Sequence, residues 1–573
     1  MYILGINAFY HDSATALIKD GEVVWAAEEE RFTRIKHDNT FPFKAIKYCL
    51  ESANIGIADI DFVAYYEKPL LKFERIFQTF IETYPFSLRP FFKSIPEWLG
   101  QKIKVEWLIR EKVGFRGKIF FVPHHLSHAA ASFYTSDFRR SAILTLDGVG
   151  EYETCAIWQG NNNKIAPLKS INFPSSLGLL YSTFTAFLGF RVNNDEYKLM
   201  GLAAYGKPSY VDKIHKTIDL KEDGSFRLNM EYFSFRQSFS MWSTKFEKLF
   251  GSPRKTGAIF NQRHKDLAAS IQRVTEEVYF KILKQLFLLT KSRNICISGG
   301  VALNALANGK IFDNTSFKNV YIFGPAGDGG TALGAALATY HQIEGKTKRK
   351  SLAGLCLGTS YSQEEIEEEL NKEKIKYQKF AGEDELVKKV SAWLARGKVV
   401  GWFQGKMELG PRALGARSIL ARPYPRVMKD RVNEIKKREP FRPFAGSVLQ
   451  EKVNTLFAVP QKNFSAPYMN YCFEVRAKWQ GKLAAIVHKD TTCRIQTVNR
   501  SDGLYYKLIR SFWARTGIPC ILNTSFNLAG EPIVESPAQA IADFVKTKMD
   551  FLVLENFWLA KNYLHGKKSL ATK

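Results

Sequence analysis

The sequence predicts an α/β chain of two domains, the first built on an internally duplicated strand motif. Three observations carry this. An apolar strand ending in Asn or Asp, a tight loop and two further strands occur twice, within residues 2–30 and 142–169. Strands that run into glycine loops and then helices follow between 294 and 341. A polar, basic stretch without periodicity, 344–351, then leads into a second mixed α/β pattern that runs to about 564.

In the first copy, residues 3–7 are an apolar strand, Tyr10-His11-Asp12 is a polar bend and 14–18 is the return strand. Asp20-Gly21 is a hairpin signal, and 23–26 form the third strand. In the second copy, strand 143–147 ends in Asp147, Gly148-Val149-Gly150 makes the loop, and strand 154–158 precedes a turn at Gly160-Asn161-Asn162. Two such copies are what an actin-like, sugar-kinase-like ATPase duplication leaves behind. Strand 294–298 closes on Gly299-Gly300, with a helix expected over 301–310. Strand 320–323 closes on the loop 324–330, with a helix expected over 331–341. Strand, glycine loop and helix N-terminus together offer backbone N–H groups and a positive dipole end to a phosphate. Ser362 opens an acidic, capped helix over 362–371, and the domain boundary is placed near 350, giving 1–350 and 351–573. Phe73, Phe77 and Phe80, with Lys72 and Arg75 beside them, read as an amphipathic helix facing the core.

Composition bounds the function classes. With 45% hydrophobic and 24% charged residues in 573, the chain is of ordinary soluble, globular type. No apolar run approaches the ~20 residues that cross a bilayer, and the N-terminus lacks the marks of a signal peptide. Seven scattered cysteines without a C-x-x-C pair indicate reduced thiols and a cytoplasmic location, and exclude a disulfide framework or a cysteine zinc knuckle. The net charge of +26 fits a lysine-rich solvated exterior, anionic small substrates or a nucleic-acid surface. Lys and Arg are spread along the chain, with one dense cluster at Lys346, Lys348, Arg349 and Lys350, so charge alone does not choose.

Chemistry concentrates in a few motifs. His124 and His128 stand at i, i+4, which on a helix puts both imidazoles on one face, able to share a metal. Asp147 at a strand end and Asp328 in a glycine loop are carboxylates for the same ion, and two histidines with two carboxylates suit iron, manganese or zinc. His11-Asp12 lies in the first tight bend, where an actin-like fold points into its cleft; a general base or a positioning role follows from that location. In the second half, Met407 to Ser418 places Arg412 and Arg417 beside glycines, where they can fork onto phosphate oxygens. Lys436, Arg442, Arg494 and the stretch from Asn523 through Ser525 to Asn527 add further groups for a polyanion such as ATP with a phosphorylated substrate.

These residues resemble those of the O-carbamoyltransferases grouped with the nodulation-factor, cephamycin and tobramycin enzymes. The matching stretches are 11–14, 28–34, 124–129, 146–151, 196–206, 298–304, 410–418, 441–445 and 523–527, in family order across nearly the whole chain. The resemblance implies an N-terminal actin-like domain (ASKHA, duplicated RNase H-like) that transfers the carbamoyl group. Its metal, Fe(II) or another divalent ion, would be held by His124, His128, Asp147 and Asp328, with His11 and Asp12 at the transfer site. It also implies a YrdC-like α/β domain that turns carbamoyl phosphate and ATP, with Mg2+, into carbamoyl-adenylate. The expected partners are therefore carbamoyl phosphate, ATP and a small-molecule hydroxyl acceptor such as a sugar or antibiotic. No membrane or nucleic acid is expected, and a homodimer is the candidate assembly. Lys198, Gly299, Gly300 and Asn304 are the expected nucleotide contacts at the transfer site; Arg412, Arg417, Lys436, Arg442, Arg494, Asn523 and Ser525 are those of the second site. One departure stands out: where the family usually has Asp-Gly-Thr before an arginine, this chain reads Asp490-Thr491-Thr492-Cys493-Arg494. The competing function is a tRNA threonylcarbamoyl-adenosine-type modifying enzyme, which requires a concentrated basic face and strongly salt-dependent binding. A third reading, a nucleotide-binding protein without turnover, is disfavoured by the complete His/His/Asp/Asp set.

Overall fold

A computed structural model describes residues 1–564. The chain divides into two compact units: Met1–Glu29 with His37–Ala353, and Glu30–Lys36 with Gly354 onwards. Seven residues from near the N-terminus thus belong to the second unit.

The first unit contains two five-stranded sheets of the same design. Strands β1 (Tyr2–Asn7), β2 (Ala14–Lys19) and β3 (Glu22–Glu28) form an antiparallel meander, while β4 (Phe62–Tyr65) and β5 (Lys118–Phe121) add in parallel on the far side of β1, in the order β3-β2-β1-β4-β5. Asp20 and Gly21, both at positive φ, make the tight turn that the Asp-Gly pair signals. The second sheet repeats the plan with β6 (Arg140–Leu146), β7 (Glu153–Asn161) and β8 (Lys164–Asn172) as the meander. Between them and the remaining strands lies a small hairpin, β9 (Ile218–Leu220) and β10 (Phe226–Leu228). Then β11 (Asn294–Ser298) and β12 (Asn319–Ile322) extend the sheet in parallel from β6, in the order β12-β11-β6-β7-β8. The repeated meander in the sequence is therefore one visible part of a repeated five-strand topology.

Two short apolar helices, His124–Thr135 and Thr331–Ala338, run through the core of this unit. Their approach is close enough to require glycine. A Cβ on Gly334 would stand 1.8 Å from the carbonyl oxygen of Ser127, and one on Gly5 of β1 would stand 1.9 Å from that of Ala332. Three sequence expectations are modified. The helix expected over 301–310 is broken: a 3₁₀ turn, Gly300–Leu303, gives way to the helix Ala305–Gly309, with the Asn304 side chain accepting from Ala307 N–H as its cap. The helix expected to 341 changes at Thr339–Ile343 to a π-turn. The polar stretch 344–351 is tied down at Arg349, whose guanidinium donates to the carbonyls of Phe133, Ser136 and Phe138 at the end of the helix His124–Thr135.

The second unit is organised on one nine-stranded mixed sheet. Its strands are β13 (Gln378–Lys379), β14 (Val400–Phe403), β15 (Arg417–Ala421), β16 (Ala445–Leu449), β17 (Tyr471–Glu474), β18 (Thr492–Val498), β19 (Cys520–Ser525), β20 (Phe551–Leu554) and β21 (Phe557–Ala560). Their order is β13-β21-β20-β14-β15-β19-β16-β18-β17. The helix Gln363–Lys372 starts at Ser362 with a capping box closed by Glu365. All seven cysteines are free. Among the described residues no helix is long and apolar enough to cross a membrane.

Candidate active site

The helix His124–Thr135 begins at Pro123 without a cap of its own. The carboxylate of Glu151, in the loop after β6, replaces it by accepting from the His124 N–H at 3.0 Å and from the Lys68 N–H at 2.8 Å. The i, i+4 spacing then brings the His124 and His128 rings to 4.7 Å between centroids. Asp147, at the end of β6, puts Oδ2 3.0 Å from His124 Nε2 and 3.4 Å from His128 Nε2. Asp328, which opens the turn before the helix Thr331–Ala338, puts Oδ1 3.8 and 3.4 Å from the same two nitrogens. One ligand atom from each of the four lies within 4.8 Å of the others.

All four side chains are buried, yet His128 Nε2 and both Asp328 carboxylate oxygens have no hydrogen-bonding partner. Buried polar atoms are normally satisfied, so this orphaned set fits a divalent cation. Supporting groups hold it in place: Ser298 Oγ lies 3.3 Å from His128 Nδ1, and the Gly300 N–H donates to Asp147 Oδ1 at 3.1 Å. Burial opposes the protonation of His128, but Asp147 and Asp328 overcome it and raise its pKa to about 9. The intervening His125 is different. It bonds Thr145 Oγ1 and the Glu153 carbonyl, and burial, with His124 and His128 adding, lowers its pKa to about 3.

Beside the quartet lies a chain of three polar side chains. His11 Nε2 is 3.6 Å from Asp328 Oδ2, and His11 Nδ1 is 2.9 Å from Asp12 Oδ2. The other Asp12 oxygen meets His37 Nδ1 at 2.9 Å. Burial would lower the His11 pKa, yet Asp12 and Asp328 raise it to about 10; burial likewise works against the Asp12 carboxylate, which His11 and His37 hold well below its usual range. Lys198 pairs with Asp195 at 3.1 Å. The Asn304 and Gln272 amides exchange two hydrogen bonds of 3.0 Å. Gly299, at φ 97°, turns the chain where a Cβ would lie 2.1 Å from the Leu146 carbonyl oxygen, and Gly300 has its N–H committed to Asp147. Gly300 and Asn304, which the sequence offers as nucleotide contacts, thus have an N–H and an amide engaged within the first unit.

In the second unit the loop 410–416 folds around its own Glu408, whose Oε1 accepts from the N–H groups of Leu414, Ala416 and Arg417. Arg417 departs from the expectation of a phosphate ligand. It is fully buried, donates to the carbonyls of Gln404 and Gly405 at 3.1 and 3.0 Å, and stacks 3.5 Å over the Phe403 ring. The fork is spent on backbone. Lys436 Nζ meets the Ser525 carbonyl, Ser525 Oγ and Asn527 Oδ1. Burial first, then Arg438, Arg442 and Lys36, hold its pKa well below the usual lysine value, so four cations converge here. Asn523 donates to the Ala413 carbonyl, Ser447 Oγ and Gln496 Oε1, leaving its own Oδ1 buried without a partner. Arg412, Arg442 and Arg494 are half-buried. Arg494 pairs in register with Ala445 and Cys472, and Arg442 faces Glu439 at 3.3 Å.

The family description "Carbamoyltransferase N-terminus" matches residues 2–337, and "Carbamoyltransferase C-terminus" matches 391–561. The chain belongs to the carbamoyltransferase family. A relative from Synechocystis sp., Uncharacterized protein sll1178, is 45% identical over 98% of this carbamoyltransferase and 97% of its own length. Nodulation protein NolNO of Sinorhizobium fredii is 38% identical over 97% of the chain and 80% of its own length. Among solved structures, full-length HypF in its phosphate- and nucleotide-bound form aligns with 60% of the chain and 56% of its own, at 15% identity and a TM-score of 0.34, too low to carry an argument.

Sequence reasoning about the carbamoyltransferase missed several residues that build these sites. Arg31 donates to the Gly410 carbonyl at 2.6 Å, and Arg34 to those of Pro532 and Ile533, so the 30–36 segment anchors two loops of the second unit. Its two arginines among acidic and aromatic neighbours were the available signal.

Proposed function

We propose that this carbamoyltransferase works in two stages. In the second unit, read as YrdC-like, water cleaves carbamoyl phosphate to carbamate and phosphate, and with Mg2+ the carbamate oxygen attacks the ATP α-phosphorus, forming carbamoyl-adenylate as the bond to pyrophosphate breaks. In the first unit, read as actin-like from its twice-drawn sheet topology, a small-molecule hydroxyl attacks the carbamoyl carbon. The new C–O bond forms as the bond to the AMP phosphate oxygen breaks; AMP leaves with that electron pair, and the hydroxyl proton passes to a base.

The observation that carries the reading is the buried quartet of His124, His128, Asp147 and Asp328 with unsatisfied atoms facing one another, beside the His11–Asp12–His37 chain. A divalent ion held there, Fe(II) by family resemblance, would supply positive charge to a phosphate and polarise the acyl group. His11 orients within reach of the reacting centre, and Asp12 fixes its ring from one side while His37 fixes Asp12 from the other. In the second unit the convergence of Lys36, Lys436, Arg438 and Arg442 supports a polyanion site. Making and consuming a labile mixed anhydride within one chain limits its loss to water.

The test is incubation of metal-loaded protein with ATP and carbamoyl phosphate but no acceptor. Pyrophosphate release that depends on carbamoyl phosphate, carbamoyl-adenylate by mass spectrometry, and loss of both in Arg442→Ala are expected. No pyrophosphate from a folded, metal-loaded preparation overturns the reading.

A further inference from the structure

The helix Pro69–Thr83 departs from its expected polarity. Leu70 at 69% and Phe77 at 46% exposure lie outward and Phe73 and Phe80 are half-buried against Trp98 and Phe91, while Lys72 and Arg75 are turned inward at 4% and 8%. Burying two cations is costly unless each is partnered. Lys72 has its partner: the ammonium meets Glu67 at 2.5 Å and rests 4.5 Å over the Tyr10 ring. Arg75 has none. Among the described residues no carboxylate lies within ion-pairing distance of it and its nitrogens donate to no protein group; Nε is sealed from solvent without a partner, and the guanidinium carbon stands 4.9 Å from the Phe173 ring.

This unpaired guanidinium belongs to the neighbourhood of the transfer site. The Tyr10 hydroxyl feels Asp147, Asp328, Arg75 and Glu67 together, and it lies 3.9 Å from the place a Cβ on Gly148 would take, one residue from Asp147. The Lys72–Glu67 pair is neutral, and the Glu151 carboxylate, which also acts on Arg75, is engaged by the His124 and Lys68 N–H groups, so Arg75 keeps an unpaired guanidinium beside the place where an acceptor hydroxyl would bind. A planar guanidinium matches a carboxylate or phosphate through two parallel hydrogen bonds.

We propose that Arg75 is the acceptor-recognition residue of this enzyme, and that the acceptor carries an oxyanion, a carboxylate or a phosphate, close to the hydroxyl that is carbamoylated. This rests on the transfer reading above and narrows its substrate class. The phosphate of the activated nucleotide would have its own counter-charge in a cation held by the quartet, whereas no side chain among the described residues pairs directly with the Arg75 guanidinium. Lys72 positions the Tyr10 ring and is neutralised by Glu67; it is not part of the recognition.

The experiment measures transfer of labelled carbamoyl groups to three matched acceptors: glucose, glucuronate and glucose 6-phosphate. The wild-type enzyme is expected to favour one of the anionic sugars over glucose in kcat/KM, and which one identifies carboxylate or phosphate. Arg75→Gln should reduce that preference by about tenfold or more through KM, and Arg75→Lys, which keeps the charge, should retain part of it. A wild-type enzyme without preference for either anionic sugar overturns the proposal, as does an Arg75→Gln enzyme that loses transfer to all three equally. Acceptor-free pyrophosphate release by the wild-type protein reports separately on the activation reading, so the two ideas fail in distinguishable ways.

Discussion

His128 Nε2 and Asp328 Oδ1 face each other at 3.4 Å, both buried and neither in a hydrogen bond. Two such atoms left unsatisfied in a core cost roughly 1–3 kcal/mol each, which a shared cation removes. Asp328→Asn and His128→Ala are therefore expected to lower the bound metal to about a tenth of the wild-type stoichiometry, measured by plasma mass spectrometry. Chelation of the wild-type protein should lower its melting temperature, and added metal should restore it. Equal metal content in all three proteins would dismiss the site.

Arg417 and Arg442 should behave oppositely. Arg417→Lys removes a fork that satisfies several buried carbonyls, so it is expected to destabilise the protein by about 3 kcal/mol or more while leaving the KM for ATP in the folded fraction unchanged. Arg442→Ala, by contrast, should abolish activation with little change in the urea midpoint. If Arg417→Lys raised KM without loss of stability, the structural role would be wrong.

Thr491 occupies φ 65°, a left-handed conformation that β-branched residues adopt at a cost. The turn is held by Thr491 N–H donating to the His488 carbonyl and Thr492 N–H donating to Asp490 Oδ1. Thr491→Gly should stabilise the chain by about 0.5–1 kcal/mol, seen as a higher melting temperature. A decrease would mean that the Thr491 hydroxyl, which donates to the Asp490 carbonyl at 2.6 Å, outweighs the strain.

Asp543 gives a pH signature. Burial and then Glu531 raise its pKa to about 7, with Arg34 opposing, from an ordinary value of 3.8. Between about pH 4 and 7 the folded chain keeps a proton that the unfolded chain has lost. Stability from this group is thus full at low pH and falls as pH rises through 7, by at most about 1.4 kcal/mol per pH unit. Asp543→Asn should lose less melting temperature than wild type between pH 5 and 7.5; an unchanged slope would assign the effect elsewhere.

Much of this protein was legible because local geometry is periodic. A strand, a hairpin at Asp20-Gly21 and two histidines four apart on a helix depend on neighbours in the chain, and each appears as read. The repeated meander was visible for the same reason, and the family motifs brought Asp147 and Asp328 to His124 and His128. What the sequence could not decide was which partner each long side chain would meet. Arg412 and Arg417 sit in the same glycine-rich motif, yet Arg417 ends among loop carbonyls, one of them from Glu535, over a hundred residues away. Phe77 and Arg75 share one helix, and helical periodicity alone did not show that Phe77 stays exposed and Arg75 is buried while Phe73 and Phe80 pack half-buried. Residues 30–36 belong to the second unit, where Arg31 and Arg34 find loops near 410 and 532. Periodicity sets which side chains share a face. Whether that face meets apolar surface, backbone carbonyls or a counter-charge is set by long-range packing, where the desolvation of a charged group must be balanced by whatever the tertiary fold brings to it.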